Sequence, residues 1–178
     1  MCNISLYVPK LEDYWFEKQL LSDEETMNYN AGYDVSYYGY DYETGCIDYP
    51  EHRWKEQYQQ RKQENKYFAY IKVDNEFVGT VNYHYVNSEK RYECGIVIYS
   101  KYRGKGYSEI GLKLLCEKAK SEGIKELYDN FELSRKSAIK VFEKVGFEIV
   151  EEITWKKFNK GGCWCCSQNN IIGEKIFI

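Results

Sequence analysis

The sequence has no run of about 18 apolar residues, so no helical membrane span is expected. Its start, Met1-Cys2-Asn3-Ile4-Ser5-Leu6, lacks the basic, apolar and small-residue regions of a secretory leader. A cytoplasmic protein is therefore expected, and its seven cysteines are expected to be thiols rather than disulfides. Internal repeats and low-complexity linkers are also lacking, so the 178 residues suit one domain over 1–178. A chain of that size buries roughly 70% of its unfolded surface. Lysine and arginine are missing from Gln19 to His52. That stretch holds eight acidic residues and seven of the 19 tyrosines. With a net charge of −3 overall, the rest of the chain carries +5. The asymmetry points either to two ligands of opposite charge or to a solvated acidic loop. Neither nucleic acid nor a membrane is expected as a partner.

What is present centres on residues 92–115. Ile96 to Tyr99 are β-branched and aromatic and favour a strand. Ile110, Leu114, Leu115 and Ala119 recur at helical spacing. Between them Gly104 and Gly106 suit a sharp backbone turn. Strand, turn and helix start gather free N–H groups at the positive end of a helix, with Arg103 and Lys105 beside them. That is a site for a phosphate-like anion. The P-loop spacing is absent, and Glu109 stands where the dinucleotide fingerprint needs a glycine.

Around this centre the chain reads as an α/β sheet. Asn3 to Val8 forms a strand. Pro9 opens a helix to about Leu21, and Ser22-Asp23-Glu24-Glu25 has capping-box spacing for a short second one. Asn30 to Tyr49 is irregular, and Pro50 opens a helix to about Gln63. Three meander strands follow over 66–73, 76–86 and 91–99. The helix after the glycine turn ends at Gly123, and a strand over 124–129 follows. Ser134 caps a helix ended by Gly146. Strands over 147–158 and 171–178, joined by a Gly161-Gly162 turn, close the chain.

Arg103-x-x-Gly106-x-Ser108, after a strand and before a helix, resembles the acyl-CoA signature of the GNAT acetyltransferase superfamily. Ala138-Ile139-Lys140-Val141-Phe142-Glu143-Lys144-Val145-Gly146-Phe147 resembles the family's second motif, and order and separation match. The likeness covers about residues 66 to 158 well and the N-terminal third only in layout. It implies a GNAT-like mixed, mostly antiparallel sheet flanked by helices, with strands splayed at the acyl-CoA site. It implies acetyl-CoA as co-substrate. The backbone of Arg103, Gly104, Lys105, Gly106, Tyr107 and Ser108 would take its pyrophosphate, and Ile96 and Ile98 its pantetheine arm. Arg135, Ala138, Phe142 and Lys144 would flank its far side.

Three positions depart from the family pattern. Ser108 replaces a Gly/Ala, and Arg135 replaces an Asn. Phe142 replaces a tyrosine thought to protonate the departing thiolate. Another group must supply that proton, or the thiolate leaves unassisted, which a thiol pKa of about 8.5 allows. The implied reaction is N-acetyl transfer to a primary amine, directly and with no enzyme nucleophile. An amine of pKa about 10.4 costs roughly 4.6 kcal/mol to deprotonate at pH 7. Glu93 on the third meander strand is the candidate base, acting through water, and His84 one strand earlier is the second. Tyr33, Asp34, Asp41 and Glu43 are candidates to hold a cationic acceptor, a small amine or a basic peptide, with tyrosine faces adding cation–π contacts. Two other readings stand beside this one: a non-catalytic acyl-CoA-binding module, and an interaction protein, a homodimer among them, using the tyrosine-rich surface. Cys163-x-Cys165-Cys166 lacks a second pair at zinc spacing, so no metal is expected.

Overall fold

The structure, a computed structural model, describes residues 3–132, 134–156 and 168–177. Its strands are β1 (Ile4–Tyr7), β2 (Lys66–Val73), β3 (Glu76–Val86), β4 (Arg91–Ile98), β5 (Glu126–Glu132), β6 (Glu148–Lys156) and β7 (Gln168–Phe177). Its α-helices are α1 (Trp15–Ser22), α2 (Glu24–Met27), α3 (Trp54–Arg61), α4 (Tyr107–Ser121) and α5 (Lys136–Val145). The strands form one sheet in the order β1-β2-β3-β4-β5-β7-β6. All neighbours are antiparallel except β4 and β5, which α4 joins by a crossover, as a parallel pair requires. The mixed, mostly antiparallel sheet with flanking helices is thus the one expected, meander strands included.

Two apolar clusters cover the two faces. On one, Leu112, Leu115, Cys116 and Ala119 of α4 pack on Ala69, Ile71, Val81 and Tyr83 of β2 and β3. On the other, Phe16, Leu20 and Met27 of α1 and α2 pack on Tyr70, with Val97 and Tyr99 beside them. Alternation along β4 follows: Cys94, Ile96 and Ile98 join the first cluster, and Val97 joins the second. Glu17 and Arg61 tie α1 to α3 by a two-pronged ion pair, one N–O distance being 2.6 Å.

Several expected boundaries shift. Pro9 does not open α1. Lys10 and Asp13 bracket a short 3₁₀ turn, Leu11–Asp13, and the α-helix starts at Trp15. The cap of α2 is Asp23 rather than Ser22: Thr26 N–H donates to Asp23 Oδ2 at 2.8 Å, while Ser22 Oγ donates back to Lys18 O. Ser134 does not cap α5, because its hydroxyl donates to Glu132 Oε2 at 3.0 Å; Arg135 holds the cap position. The fifth strand runs to Glu132, three residues beyond its expected end, because β7 pairs along it through Glu132↔Ile171. β7 lies between β5 and β6. The Gly161-Gly162 turn and Cys163, Cys165 and Cys166 lie outside the described residues.

Candidate active site

The parallel pairing of β4 with β5 is limited to Glu93↔Tyr128. Beyond that pair the two strands part, and Ile96, Val97 and Ile98 line the gap. A cleft of about 660 Å³ opens there, within the range of sites for ligands of drug size. Its floor is the splayed end of β4, and one wall is the glycine turn with the start of α4. The opposite wall is α5 with Arg135, Ala138 and Lys144. Asn28 and Tyr29, just after α2, close the remaining side.

The glycine turn has the conformation its sequence demands. Gly104 and Gly106 both hold φ near +77°, where a side chain is strained. A Cβ at either would meet nothing within 4 Å, so conformation rather than space selects glycine there. Gly106 is the residue before α4, so the first N–H groups of that 15-residue helix point out of its end. Lys144 approaches Glu109 at 3.8 Å and links α5 to the first turn of α4. Positive backbone ends, cationic walls and an elongated apolar floor together fit a phosphate-bearing ligand with an extended arm.

Arg103 does more than add charge. Its guanidinium donates to Glu25 O at 3.0 Å and Thr26 O at 2.9 Å, at the carboxyl end of α2. Thr26 Oγ1 accepts the Ser100 N–H at 2.8 Å, and Ser100 Oγ donates to Asp23 Oδ2 at 2.8 Å. Burial pushes the Asp23 carboxyl up, but hydrogen bonds from Thr26 and Ser100 and the nearby Arg103 charge outweigh it and hold it below its ordinary value. These contacts fasten α2 to the glycine turn, and so fix where Asn28 and Tyr29 sit.

Ten of the twelve expected co-substrate residues line this one cleft: Ile96, Ile98, Arg103, Gly104, Gly106, Tyr107, Ser108, Arg135, Ala138 and Lys144. Lys105 does not; its ammonium lies 5.4 Å from the Tyr102 ring centre. Phe142 is also outside it, buried between Phe131 and Phe147 with ring centres 5.1 and 4.7 Å away. The reason is helical phase: Ala138, Val141 and Lys144 share the cleft face of α5, and Phe142 turns about 100° past Val141 toward the sheet. Val97, Tyr102, Ser137 and Val141 also line the cleft, as do Asn28 and Tyr29. Ser137 and Val141 follow from the spacing of Ala138 on α5. No signal in the sequence separates Tyr29 from the other tyrosines.

The catalytic candidates stand back from the cleft. Glu93 sits where β4 and β5 close together, accepting from Arg91 at 2.8 Å and from Asn130 Nδ2 at 2.9 Å. Val97 lies four positions further along the strand on the same face, roughly 13 Å away. Gly95 lies between them, and the side chain of Asn82, its partner on β3, lies over it, with Nδ2 3.2 Å from where a Gly95 Cβ would stand. His84 opposes Glu93 across the β3–β4 ladder and is exposed. Among the described residues the two buried thiols are not available for chemistry: burial pushes Cys94 well up and Cys116 to about 12.

The acceptor candidates divide. Tyr33 donates its hydroxyl to Glu132 at the end of β5, and burial first, then that carboxylate, raises its pKa. Asp41 is a turn former, its Oδ1 accepting from the N–H groups of Glu43 at 3.0 Å and Thr44 at 2.9 Å. Asp34 and Glu43 are exposed. The acidic segment is therefore anchored beside β5 and α5 rather than loose.

A sheet parted over a glycine turn, with a helix N-terminus at the opening, defines a protein that holds an elongated, phosphate-bearing ligand between two strands. The chain belongs to the Acetyltransferase (GNAT) family, whose model matches residues 23–147. No curated protein sequence matches it. Solved structures share the fold. A spermidine N-acetyltransferase from Vibrio cholerae, in complex with CoA and spermine, is 15% identical with a TM-score of 0.75, over 98% of this chain and 95% of that one. A ribosomal-protein-alanine N-acetyltransferase from Brucella melitensis is 14% identical with a TM-score of 0.75, over 99% of each chain. A ribosomal L7/L12 alpha-N-protein acetyltransferase in complex with coenzyme A is 11% identical with the same TM-score, over 98% and 94%.

Proposed function

We propose that the protein transfers the acetyl group of acetyl-CoA to the primary amine of a small cationic acceptor. The observation that carries this reading is the parting of β4 from β5 immediately before the glycine turn and the start of α4. An extended arm can pair with the edge of β4 there while its phosphates meet the α4 amides. The amides of residues 103–108 would hold the pyrophosphate. Ile96 and Ile98 would line the arm, and Arg135, Ala138 and Lys144 would flank it. The bound thioester supplies an activated acyl group, and the protein supplies position and proton handling.

Glu93 is the base in this reading. It acts through water past Gly95, where the Asn82 amide can hold that water. His84 opposes it on β3 and is the alternative. The acceptor enters from the face that carries α1, α2 and the acidic segment. Asp34 and Glu43 give that approach its negative charge, and Asp41 and Tyr33 hold its shape. The spermine bound to the Vibrio structure is a cationic amine of the expected kind.

Thiol release from acetyl-CoA is the test, with spermidine, an aminoglycoside, a basic peptide and a neutral amine as acceptors. Turnover is expected with a cationic amine, and Glu93→Gln is expected to lower it about 10²-fold. Preference for the neutral amine refutes the cationic acceptor. Coenzyme A binding with no thiol release for any amine favours the non-catalytic acyl-CoA-binding module, for which the buried Phe142 is the structural argument.

A further inference from the structure

Acyl transfer from a thioester leaves a sulfur anion, and a proton must reach it. Phe142 has none to give and is turned into the core. Three tyrosines line the cleft: Tyr29, Tyr102 and Tyr107. Tyr102 donates its hydroxyl to Glu76 at 3.3 Å. Tyr107 is the first residue of α4, at the phosphate end of the site. Tyr29 stands elsewhere. It packs with the cluster that contains Val97, on the parted end of β4, and closes the side of the cleft left open by the α4 start and α5.

Resting on the acetyltransferase reading above, we propose that Tyr29 is the proton donor to the departing thiolate, in the place the second motif leaves vacant at Phe142. Tyr29 is half-buried, and none of the hydrogen bonds among the described residues engages its hydroxyl. The proton is therefore uncommitted. The Arg135 guanidinium carbon lies 4.5 Å from the centre of the Tyr29 ring, where a cation stabilises the phenolate formed when that proton leaves. Four neighbouring elements bear on the phenol. Burial raises its pKa most; Arg135 on α5 and Arg103 in the glycine turn lower it, and Asp129 on β5 and Tyr37 in the acidic segment raise it. The phenol is protonated at neutral pH, and the two guanidinium charges offset part of the burial that makes it a weaker acid.

The step balances. The amine nitrogen bonds to the acyl carbon, and the carbon–sulfur bond breaks with its electron pair on sulfur. The Tyr29 proton passes to that sulfur. The nitrogen gives up its extra proton through water toward Glu93, and the phenolate is reprotonated from solvent. The products are the amide and the free thiol. Arg135, where the family's second motif has an uncharged amide, acts as the positioning residue for this exchange.

The test is Tyr29→Phe, which keeps the ring and its contact with Arg135. With the best acceptor of the panel, turnover is expected to fall by about 10²-fold while coenzyme A affinity changes less than about threefold. A selenoester analogue of acetyl-CoA, whose selenol leaves as a far weaker base, is expected to narrow the gap between wild type and variant. A second readout needs no turnover: the thiol of bound coenzyme A, titrated by the ultraviolet absorbance of its thiolate, is expected to ionise at higher pH in Tyr29→Phe than in wild type. Unchanged turnover with an unchanged thiol titration overturns the assignment while leaving the acetyltransferase reading intact. Failure of the wild type to bind coenzyme A at all overturns both.

Discussion

At the scale of single residues, side chains that read as charge or as caps turn out to be fasteners. Arg103 is the clearest. The motif presents it as a cation for a phosphate, and the fold uses its guanidinium to close the carboxyl end of α2. Asp23 caps the other end of α2 and also accepts from Ser100. Its carboxyl titrates below its ordinary value, so its stabilisation is present above the unfolded value, near 3.9, and is lost as pH falls through the lower folded value. Wild type is therefore expected to lose stability relative to Asp23→Asn on going from pH 5 to about pH 3, in paired denaturant melts. At pH 7 Asp23→Ala is expected to cost about 1 kcal/mol or more, the usual effect of a lost N-cap. The motif's arginine was legible in the sequence and its partners were not, because Glu25 and Thr26 lie 78 and 77 residues away.

At the scale of elements, α4 is governed by two glycines that act for different physical reasons. Gly106 has open space around it and a left-handed φ. Gly111 has ordinary helical geometry, but a Cβ would come within 2.5 Å of Ile71 Cδ1 in the core. Gly106→Ala is expected to cost about 1–2 kcal/mol through backbone strain and to weaken coenzyme A binding, since it re-aims the α4 amides. Gly111→Ala gains about 1 kcal/mol of helix propensity and loses about 1–3 to overpacking. It is therefore expected to be between neutral and about 2 kcal/mol destabilising. Calorimetric coenzyme A titrations and thermal melts of both variants separate the two effects. Element types were legible where periodicity was long, as in α4 and the meander. Boundaries moved where a side chain found a local partner the pattern did not show: Asp13 for Lys10, Asp23 for Thr26, Glu132 for Ser134.

At the scale of the whole molecule, charge is segregated. The acidic segment from Gln19 to His52 is anchored through Tyr33 to the end of β5, next to the cleft with its cationic walls. Opposite fields therefore face the two substrates of the proposed reaction from adjacent surfaces. For a polyamine acceptor, kcat/KM at saturating acetyl-CoA is expected to fall several-fold between 0.05 and 0.5 M salt (about one Debye length of 10 Å lies at 0.1 M). For a neutral amine the same salt series is expected to be nearly flat. A flat polyamine series separates acceptor capture from the acidic segment.

The sequence by itself determined the sheet meander, the glycine turn ahead of α4, the family, and ten of the residues that line the cleft. Those are local facts: alternation, helical spacing, and positive-φ glycines next to a strand are written within a few residues of one another. Only the tertiary structure decided that Phe142 faces the core and that Lys105 stands outside the cleft. It alone placed Glu93 at the closing point of the splay and brought Tyr29 to the cleft wall. Each of those depends on which strand or helix packs against a residue from far along the chain, and no spacing rule carries that information. The glycine turn marks where an anion can sit; the parting of β4 from β5, set by a single pair at Glu93 and Tyr128, decides what else can sit with it.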